Sequence, residues 1–253
     1  MARGDVMLRG QTAIVSGASR GIGRETALAL AWAGANVVVN GTRPALLDAL
    51  VREIEAAGSM GLAVPGDVAD PATAGRAAEL ALGRFGRIDV LVNNAGINTR
   101  SSTLDMTLED WQRVLDVNLT GTLHFCRAVL PAMIAQQSGR IVNVSSTTAK
   151  TPHRNAAPAY GASKAAVNYL TMHLAQEMAP HRIRVNAVCP GPVETDMSDQ
   201  WTDDYRARVT AAVPLGRLGT ARDIAEVILF LATTTSDFIT GQTLNANGGT
   251  LMG

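Results

Sequence analysis

Short apolar runs alternate with amphipathic segments along the whole chain of 253 residues. Runs of this length, rich in valine and isoleucine, are typical of buried strands, and the longer segments carry apolar positions at helical spacing. The predicted strands lie near residues 12–16, 36–40, 61–65, 88–93, 140–145, 182–188 and 242–246. This alternation predicts an α/β fold, a doubly wound, seven-stranded parallel sheet with helices on both faces. We expect one domain over residues 1–253, with its ligands at the carboxyl ends of the strands.

Two long segments, 146–158 and 191–220, interrupt the alternation, and prolines punctuate both of them. Loops of this length in a compact domain are usually functional. We therefore predict a mobile substrate lid at 191–215, with an ordered surface excursion as the alternative.

The charge balance narrows the class of partner. Lysine plus arginine equals aspartate plus glutamate, at 22 each, so no overall field attracts nucleic acid or an anionic membrane. The sequence has no apolar run of membrane-spanning length and no signal-peptide pattern in residues 1–9, which predicts a cytoplasmic protein. The two cysteines lack redox spacing, so we expect no disulfide framework. The four histidines show no ligand pairing, so we expect no metal site. A small-molecule ligand is the expectation that remains.

A glycine-rich turn, Ser16 to Gly23, follows the apolar run 13–15 and precedes the helix-like segment 24–30. A strand, a glycine turn and a helix start form a site for pyrophosphate, because free backbone N–H groups and the positive end of the helix dipole meet there. A plain tight turn is the alternative, since the glycine spacing is not Gly-x-Gly-x-x-Gly.

Two further polar segments end predicted strands. Asn93-Asn94-Ala95-Gly96 follows the run 88–92, and Ser145-Ser146 follows the run 141–144. At the carboxyl edge of a parallel sheet, small residues and amides suit a cofactor that lies close to the backbone. A serine hydroxyl at the same edge could hold a substrate oxygen.

Tyr160 and Lys164 are four residues apart, so on a helix their side chains share a face. A neighbouring ammonium favours the phenolate, so we expect a lowered pKa for Tyr160 and a role in proton transfer. Taken alone, the same spacing is typical of a half-buried tyrosine beside a solvated lysine.

In their order along the chain, these motifs resemble those of the short-chain dehydrogenase/reductase family, with Ser16 in place of a threonine. The resemblance covers nearly the whole chain. Its other matching segments are Asp116-Val117-Asn118, Pro190-Gly191 followed by Thr195, and Gly241-Gln242 through Gly248-Gly249. It implies a Rossmann-type fold and hydride transfer between a nicotinamide cofactor and a small ketone or secondary alcohol. It also implies a homotetramer, with two-fold interfaces formed by the helices around 107–137 and 158–179 and by residues 238–241.

The resemblance implies which residues act. The catalytic set is Asn118, Ser146, Tyr160 and Lys164, with Asn118 expected to hold Lys164 through a water. Counting back from Tyr160 selects Thr147, whereas counting on from Gly139-Arg140 selects Ser146, so Ser145 and Thr147 stay open as alternatives. The residues implied to bind the cofactor are Gly17, Ser19, Arg20, Gly21, Ile22, Gly23, Arg43, Asp67, Val68, Asn94, Ala95, Gly96, Tyr160, Lys164, Pro190, Gly191, Val193 and Thr195.

The end of the second predicted strand bears on the choice of cofactor. Enzymes that prefer NAD place an acidic residue there, and Gly41 stands in its place. Arg20 and Arg43 are positioned to meet a 2′-phosphate, which predicts NADP(H). NAD(H) stays open, because both arginines are also typical of solvated charges at helix starts.

The substrate is the least determined feature. The residues predicted at the mouth of the site are Asn98, Arg100, Lys150, His153, Arg154, Trp201 and Tyr205, which suits a polar or anionic carbonyl compound but equally suits scattered surface charge. The chain most resembles 3-oxoacyl-acyl-carrier-protein reductases, yet Gln137 and His181 replace the basic pair that meets the carrier. We therefore expect a free small molecule, with carrier-bound substrates as one alternative. A non-catalytic dinucleotide-binding regulator is an alternative of another class.

Overall fold

The computed structural model describes residues 7–153, 156–194 and 201–252. Seven parallel strands form one sheet. They are β1 (Thr12–Val15), β2 (Asn36–Gly41), β3 (Gly61–Pro65), β4 (Val90–Asn93), β5 (Gly139–Val144), β6 (Ile183–Pro190) and β9 (Thr243–Ala246). Their order across the sheet is β3-β2-β1-β4-β5-β6-β9, so the predicted seven-stranded, doubly wound sheet is confirmed.

A second, two-stranded sheet pairs β7 (Val193–Glu194) with β8 (Gly219–Thr220). Two residues are too few to show an alternating pattern, which is why the sequence does not predict it.

Eight α-helices connect the strands. They are α1 (Gly21–Trp32), α2 (Pro44–Ala56), α3 (Pro71–Phe85), α4 (Leu108–Leu115), α5 (Gly121–Gln136), α6 (Pro158–Met178), α7 (Asp203–Ala211) and α8 (Ala221–Ala232) in the described part of the chain. Proline opens α2, α3 and α6, where its missing N–H costs no helical hydrogen bond. A π-helical turn, Asp116–Thr120, joins α4 to α5.

Alternate strand residues contribute side chains to two hydrophobic cores, one on each face of the sheet. Ala13 and Val15 pack with α1, α2 and α8, whereas Ile14 packs with α3, α5 and α6. All three side chains are fully buried. Apolar side chains on both faces explain why the strands read as continuous apolar runs rather than as alternating ones.

The strand order reverses between β1 and β4, which are neighbours in the sheet although two strands separate them along the chain. Val15 pairs with Val92, so the carboxyl ends of β1 and β4 lie level. The helices that follow them leave on opposite faces of the sheet. A crevice therefore opens at this point, the usual ligand site of a doubly wound sheet.

The predicted lid, 191–215, is more regular than a loop. It contains β7 and then α7, whose N-cap Thr202 accepts a hydrogen bond from the backbone of Tyr205. No residue of α7 is buried, so the hydrophobic pattern that predicts the other helices is absent. Residues 195–200 lie outside the described residues, and the lid stays a prediction.

No helix in the described part of the chain combines the length and the apolar character that crossing a bilayer requires.

Candidate active site

The turn between β1 and α1 is held against the end of β4. The Ser16 hydroxyl accepts hydrogen bonds from the backbone of Asn94 and Ala95, at 3.1 and 3.2 Å. The Asn94 amide donates back to the carbonyls of Ser16 and Gly17. Gly17 has a φ of +64°, and a Cβ there would come within 2.7 Å of the Ala95 Cα, so only glycine fits this close approach.

The amino terminus of α1 faces the crevice with no side-chain cap and no acidic residue in its first turn. Its first N–H groups and its dipole are therefore available to an anion. Arg20 and Arg43 are exposed and line the same end of the crevice. The Ser19 Oγ, next to Gly41, is buried and has no hydrogen-bond partner among the described residues. A buried hydroxyl without a partner is costly, so these groups fit a phosphate-bearing ligand.

Asp67 follows β3 and closes the same end of the crevice. Its carboxylate accepts a hydrogen bond from the Ala69 backbone at 3.0 Å and forms an ion pair with Arg113 at 2.5 Å. Burial raises the pKa of Asp67, but these two donors outweigh it and hold the pKa below its usual value. Asp67 is therefore a charged acceptor at neutral pH.

Tyr160 lies in the first turn of α6, opposite the strand-end serines. Ser146 hydrogen-bonds the Tyr160 phenol and also accepts from the Thr148 backbone at 3.1 Å. Ser145 also lines the cleft, but its hydroxyl donates to the Lys164 carbonyl at 3.2 Å. Of the two serines, Ser146 is the one in position to share a ligand with Tyr160.

Lys164 reaches the same place from one helical turn further along. Its Nζ lies 5.8 Å from the centroid of the Tyr160 ring and donates to the Val144 carbonyl at 2.7 Å. Lys164 is buried, and burial lowers the pKa of its ammonium to about 8.

The expected lowering of the Tyr160 pKa is wrong for this structure. Burial raises the pKa of the phenol above its usual value, and the hydrogen bond from Ser146 offsets only part of that rise. Spacing alone predicts the neighbouring cation but not the loss of solvent, which disfavours the charged phenolate.

Asn118 lies in the π-helical turn beneath these residues and is fully buried. Its side chain is engaged by protein groups: the oxygen accepts from the Ile97 backbone, and the nitrogen donates to Ile97 and to Ser163. Its carbonyl accepts from Thr122. Asn118 thus ties the segment after β4 to α6, and its expected link to Lys164 through a water stays a prediction.

The structure brings nearly all the predicted site residues into one cleft of about 480 Å³. Gly23 does not line it, because it packs against Gly17 and the Asn94 amide and thereby lets α1 approach β4. Asn118 lies beneath the cleft. Thr195 lies outside the described residues. The predicted residues that line the cleft are Gly17, Ser19, Arg20, Gly21, Ile22, Arg43, Asp67, Val68, Asn94, Ala95, Gly96, Ser146, Tyr160, Lys164, Pro190, Gly191 and Val193.

Arg113 is a cleft residue that the sequence did not predict. It lies on α4, and its partner Asp67 is 46 residues away along the chain. Neither spacing nor composition signals such a contact, because the tertiary fold brings the two segments together. Trp201 and Val209, also in the cleft lining, come from the segment of the predicted lid.

Comparison with known proteins decides the family. Residues 17–250 match the family model described as "Enoyl-(Acyl carrier protein) reductase". A protein of Synechocystis sp. named "3-oxoacyl-[acyl-carrier-protein] reductase" is 43% identical over 247 residues, 97% of this chain and 98% of that protein. This chain belongs to the short-chain dehydrogenase/reductase family. The resemblance seen in the sequence is confirmed, and the chain is an oxidoreductase acting on a carbonyl or the corresponding alcohol.

Solved structures of this family superpose closely on the chain. A 3-oxoacyl-[acyl-carrier protein] reductase from Brucella melitensis has a TM-score of 0.94 at 35% identity, covering 99% of this chain and 95% of its own. A short-chain type dehydrogenase/reductase from Mycobacterium marinum has a TM-score of 0.93 at 36% identity, covering 98% of each chain.

Proposed function

We propose that this protein is an NADP(H)-dependent reductase of a free, small ketone, or a dehydrogenase of the matching secondary alcohol. The observation that supports it best is the meeting of Ser146, Tyr160 and Lys164 in one cleft with an uncapped helix amino terminus. The three side chains supply a proton donor, a hydrogen-bond donor and an ammonium, and the helix terminus is an anion site. Together they suit a phosphate-bearing cofactor that lies beside a carbonyl.

The cofactor end of the cleft fits a dinucleotide. The α1 amino terminus would hold the pyrophosphate, and Asn94, Ala95 and Gly96 would lie along its nucleoside halves. Lys164 would hydrogen-bond the nicotinamide ribose, and Pro190 to Thr195 would clamp the nicotinamide. When bound, that ring supplies or accepts the hydride.

The chain's own residues manage the charge on the substrate oxygen. Tyr160, protonated at neutral pH because its pKa is raised, donates a proton to the oxygen as it becomes an alkoxide. Ser146 donates a second hydrogen bond to that oxygen, and the Lys164 ammonium favours the resulting phenolate. These donors are fixed by α6 and the end of β5, so little reorganisation is needed during the reaction.

Carbonyl reduction by the purified protein is the direct test. We expect NADPH to be oxidised with one or more members of a panel of ketones, aldoses, diketones and acetoacetyl thioesters. Tyr160→Phe should abolish turnover and leave the NADPH dissociation constant nearly unchanged, since only the proton donor is lost. Tyr169→Phe, on an exposed part of the same helix, is the matched control and should keep full activity, because the exposed ring is retained. Near-normal turnover in Tyr160→Phe would contradict the proposal.

The preference for NADP(H) rests on Gly41, Arg20 and Arg43. A 2′-phosphate held by arginine should bind about tenfold to hundredfold more tightly than the bare hydroxyl. Dissociation constants for NADPH and NADH at one salt concentration measure the ratio, with Arg43→Ala compared with Arg52→Ala at an exposed site on α2. Equal binding of the two cofactors by the parent would rule the preference out.

A charge placed at Gly41 tests the same pocket. A Cβ there would collide with the Ser19 Oγ, so any substitution displaces that hydroxyl. Gly41→Asn causes the same crowding without charge and is the matched control for Gly41→Asp. We expect Gly41→Asp, much more than Gly41→Asn, to make NADH bind more tightly than NADPH, because a carboxylate repels the phosphate.

Reduction of 3-oxoacyl groups on acyl carrier protein is the second candidate, and the names of the similar proteins favour it. Against it, Gln137 and His181 lie together, 3.3 Å apart, where a basic pair would meet the carrier. This candidate would be favoured if the protein reduced carrier-bound acetoacetyl substrate far faster than the free thioester.

A non-catalytic dinucleotide-binding regulator is the remaining alternative. Ser146, Tyr160 and Lys164 are all present and share one cleft, which a protein that only binds cofactor does not require. NADPH binding without turnover on any substrate of the panel would favour it.

We also propose a cytoplasmic homotetramer. Cys126 and Cys189 are free, buried thiols, which suits a reducing compartment.

A further inference from the structure

A second cavity, of about 740 Å³, adjoins the catalytic cleft. The segments 100–103 and 148–153 and the first turns of α6 form its walls. The two cavities share four lining residues, which are Arg100, Thr148, His153 and Ala156. These four residues therefore form the junction between the second cavity and the cleft that Tyr160 lines.

The lining of the second cavity is basic and rich in hydroxyls. Arg100, Lys150 and His153 line it, and none of its described lining residues is acidic. Lys150 donates to the carbonyl of Thr243 and the side chain of Asn245, so its charge is directed towards β9. Arg100 therefore carries the positive charge at the junction with the catalytic cleft, and the His153 imidazole lines the same junction.

The backbone at Arg100 is unusual. Its φ is +60°, a left-handed conformation that residues other than glycine seldom adopt. The other described residues of this kind, Gln137 and Arg182, terminate helical segments, where the conformation is common. Arg100 terminates no helix, and strain of this kind concentrates at ligand sites.

A specific hydrogen-bond pattern holds Arg100 beside the catalytic helix. The Asn98 side chain accepts from the Arg100 backbone at 3.3 Å and from the Ala157 backbone at 3.1 Å. Ala157 is the N-cap of α6, three residues before Tyr160. On the other side, the Ala156 backbone, next to this helix start, donates a hydrogen bond to the His153 carbonyl at 3.0 Å. Arg100 and His153 are thus both anchored to the helix that carries the proton donor.

Thr148 adds a polar group between the two cavities. Its Oγ1 is buried and has no hydrogen-bond partner among the described residues. A guanidinium, an imidazole and a hydroxyl around one junction form a set that recognises an anionic oxygen.

We propose that the substrate is an anionic ketone whose carboxylate or phosphate group binds at this junction, against Arg100 and His153. This inference rests on the proposed carbonyl reduction and names the class of its substrate. The anion fixes the orientation of the ketone, and the carbonyl then lies beside Tyr160.

Matched pairs of substrates test the proposal. The pairs are 3- to 6-carbon oxo acids against their methyl esters, and dihydroxyacetone phosphate against dihydroxyacetone, each reduced with NADPH. The two series separate a carboxylate from a phosphate. We expect the parent to prefer the anion in at least one series.

Arg100→Gln should lower kcat/KM for the preferred anion by about tenfold to hundredfold and for its neutral partner by less than threefold. Arg100→Lys should restore part of the loss. Arg52→Gln removes the same charge from an exposed site on α2 and is the matched control. An unchanged NADPH dissociation constant shows that Arg100→Gln leaves the fold and the cofactor site intact.

The outcomes separate this inference from the proposed function. Reduction of the neutral partners with no preference for anions, or equal losses on both members of a pair in Arg100→Gln, overturns the anionic substrate and leaves carbonyl reduction standing. The anionic substrate is also overturned if the parent prefers a carrier-bound thioester and Arg100→Gln reduces that thioester normally. No reduction of any substrate would instead contradict the proposed function itself.

Discussion

Lys164 occupies a part of the cleft where burial governs protonation. Its pKa of about 8 lies well below the ordinary value of a lysine, because the charged form loses its solvent there. Tyr160 is affected in the opposite sense, since burial raises the pKa of a group that becomes charged on losing its proton. At neutral pH both residues therefore hold their protons, the combination that carbonyl reduction requires.

A pH profile follows from these directions. Lys164 is protonated below its pKa and neutral above it, so kcat/KM for reduction should be level below about pH 8. Above that pH it should fall by about tenfold per unit, as the ammonium that supports the phenolate is lost. Tyr160 stays protonated over this range and does not set the limit. A profile that is level to pH 10 would contradict the assigned role of Lys164.

Alanine substitutions can separate the three candidate hydroxyls. We expect Ser146→Ala to lower kcat by about a hundredfold or more, because it removes a donor to the developing oxyanion. Ser145→Ala and Thr147→Ala should each cost less than tenfold, and Ser145 serves as the buried neighbouring control. If Ser146→Ala proved the mildest of the three, Ser146 would not be the donor to the oxyanion.

At the scale of elements, α8 begins with a capping box. The Thr220 hydroxyl accepts from the Asp223 backbone at 3.1 Å, and the Asp223 carboxylate accepts from the Thr220 backbone at 2.7 Å. The Arg217 guanidinium holds the pKa of Asp223 well below its usual value, so the cap stays charged in mild acid. Because α8 buries five residues against the core, its cap is coupled to global unfolding.

Removing this cap should therefore destabilise the protein. Thr220→Ala should lower the free energy of unfolding by about 1 kcal/mol, measured by urea denaturation at a fixed protein concentration. Thr202→Ala removes a similar cap from α7, which buries no residue, and should change global stability by less than about 0.3 kcal/mol. Equal losses in the two variants would show that the burial of α8 does not couple its cap to the core.

The elements differ in how well the sequence predicts them. The seven strands of the main sheet match the predicted positions within one or two residues, because buried apolar runs bounded by turns are a local signal. The short β7–β8 pair and α7 lack any apolar periodicity, so they were not predicted. The π-helical turn around Asn118 also has no local sequence signal. Its extra residue in one turn depends on how α4 and α5 pack.

The whole molecule exposes large apolar side chains in the regions predicted to form two-fold interfaces. Leu108 on α4, Tyr169 on α6 and Phe238 after α8 are the main examples, and Phe238 is fully exposed. We expect light scattering at micromolar concentration to give the mass of four chains. Phe238→Asp should shift the protein to a smaller assembly, whereas Trp32→Ser, at an exposed site outside these regions, should not. A stable monomer of the parent would contradict the prediction.

The sequence by itself determined the fold class, the family and the cleft as a whole. These properties follow from local periodicity and from motifs of a few residues, such as the glycine turn and the Tyr160–Lys164 spacing. Each of these signals is local in the sequence. Only the tertiary structure decided that Ser146 rather than Ser145 hydrogen-bonds Tyr160, and that Arg113 pairs with Asp67. It also decided that burial raises the pKa of Tyr160. Such contacts join segments far apart along the chain, and desolvation depends on every element that packs around a group, so neither is visible in local spacing.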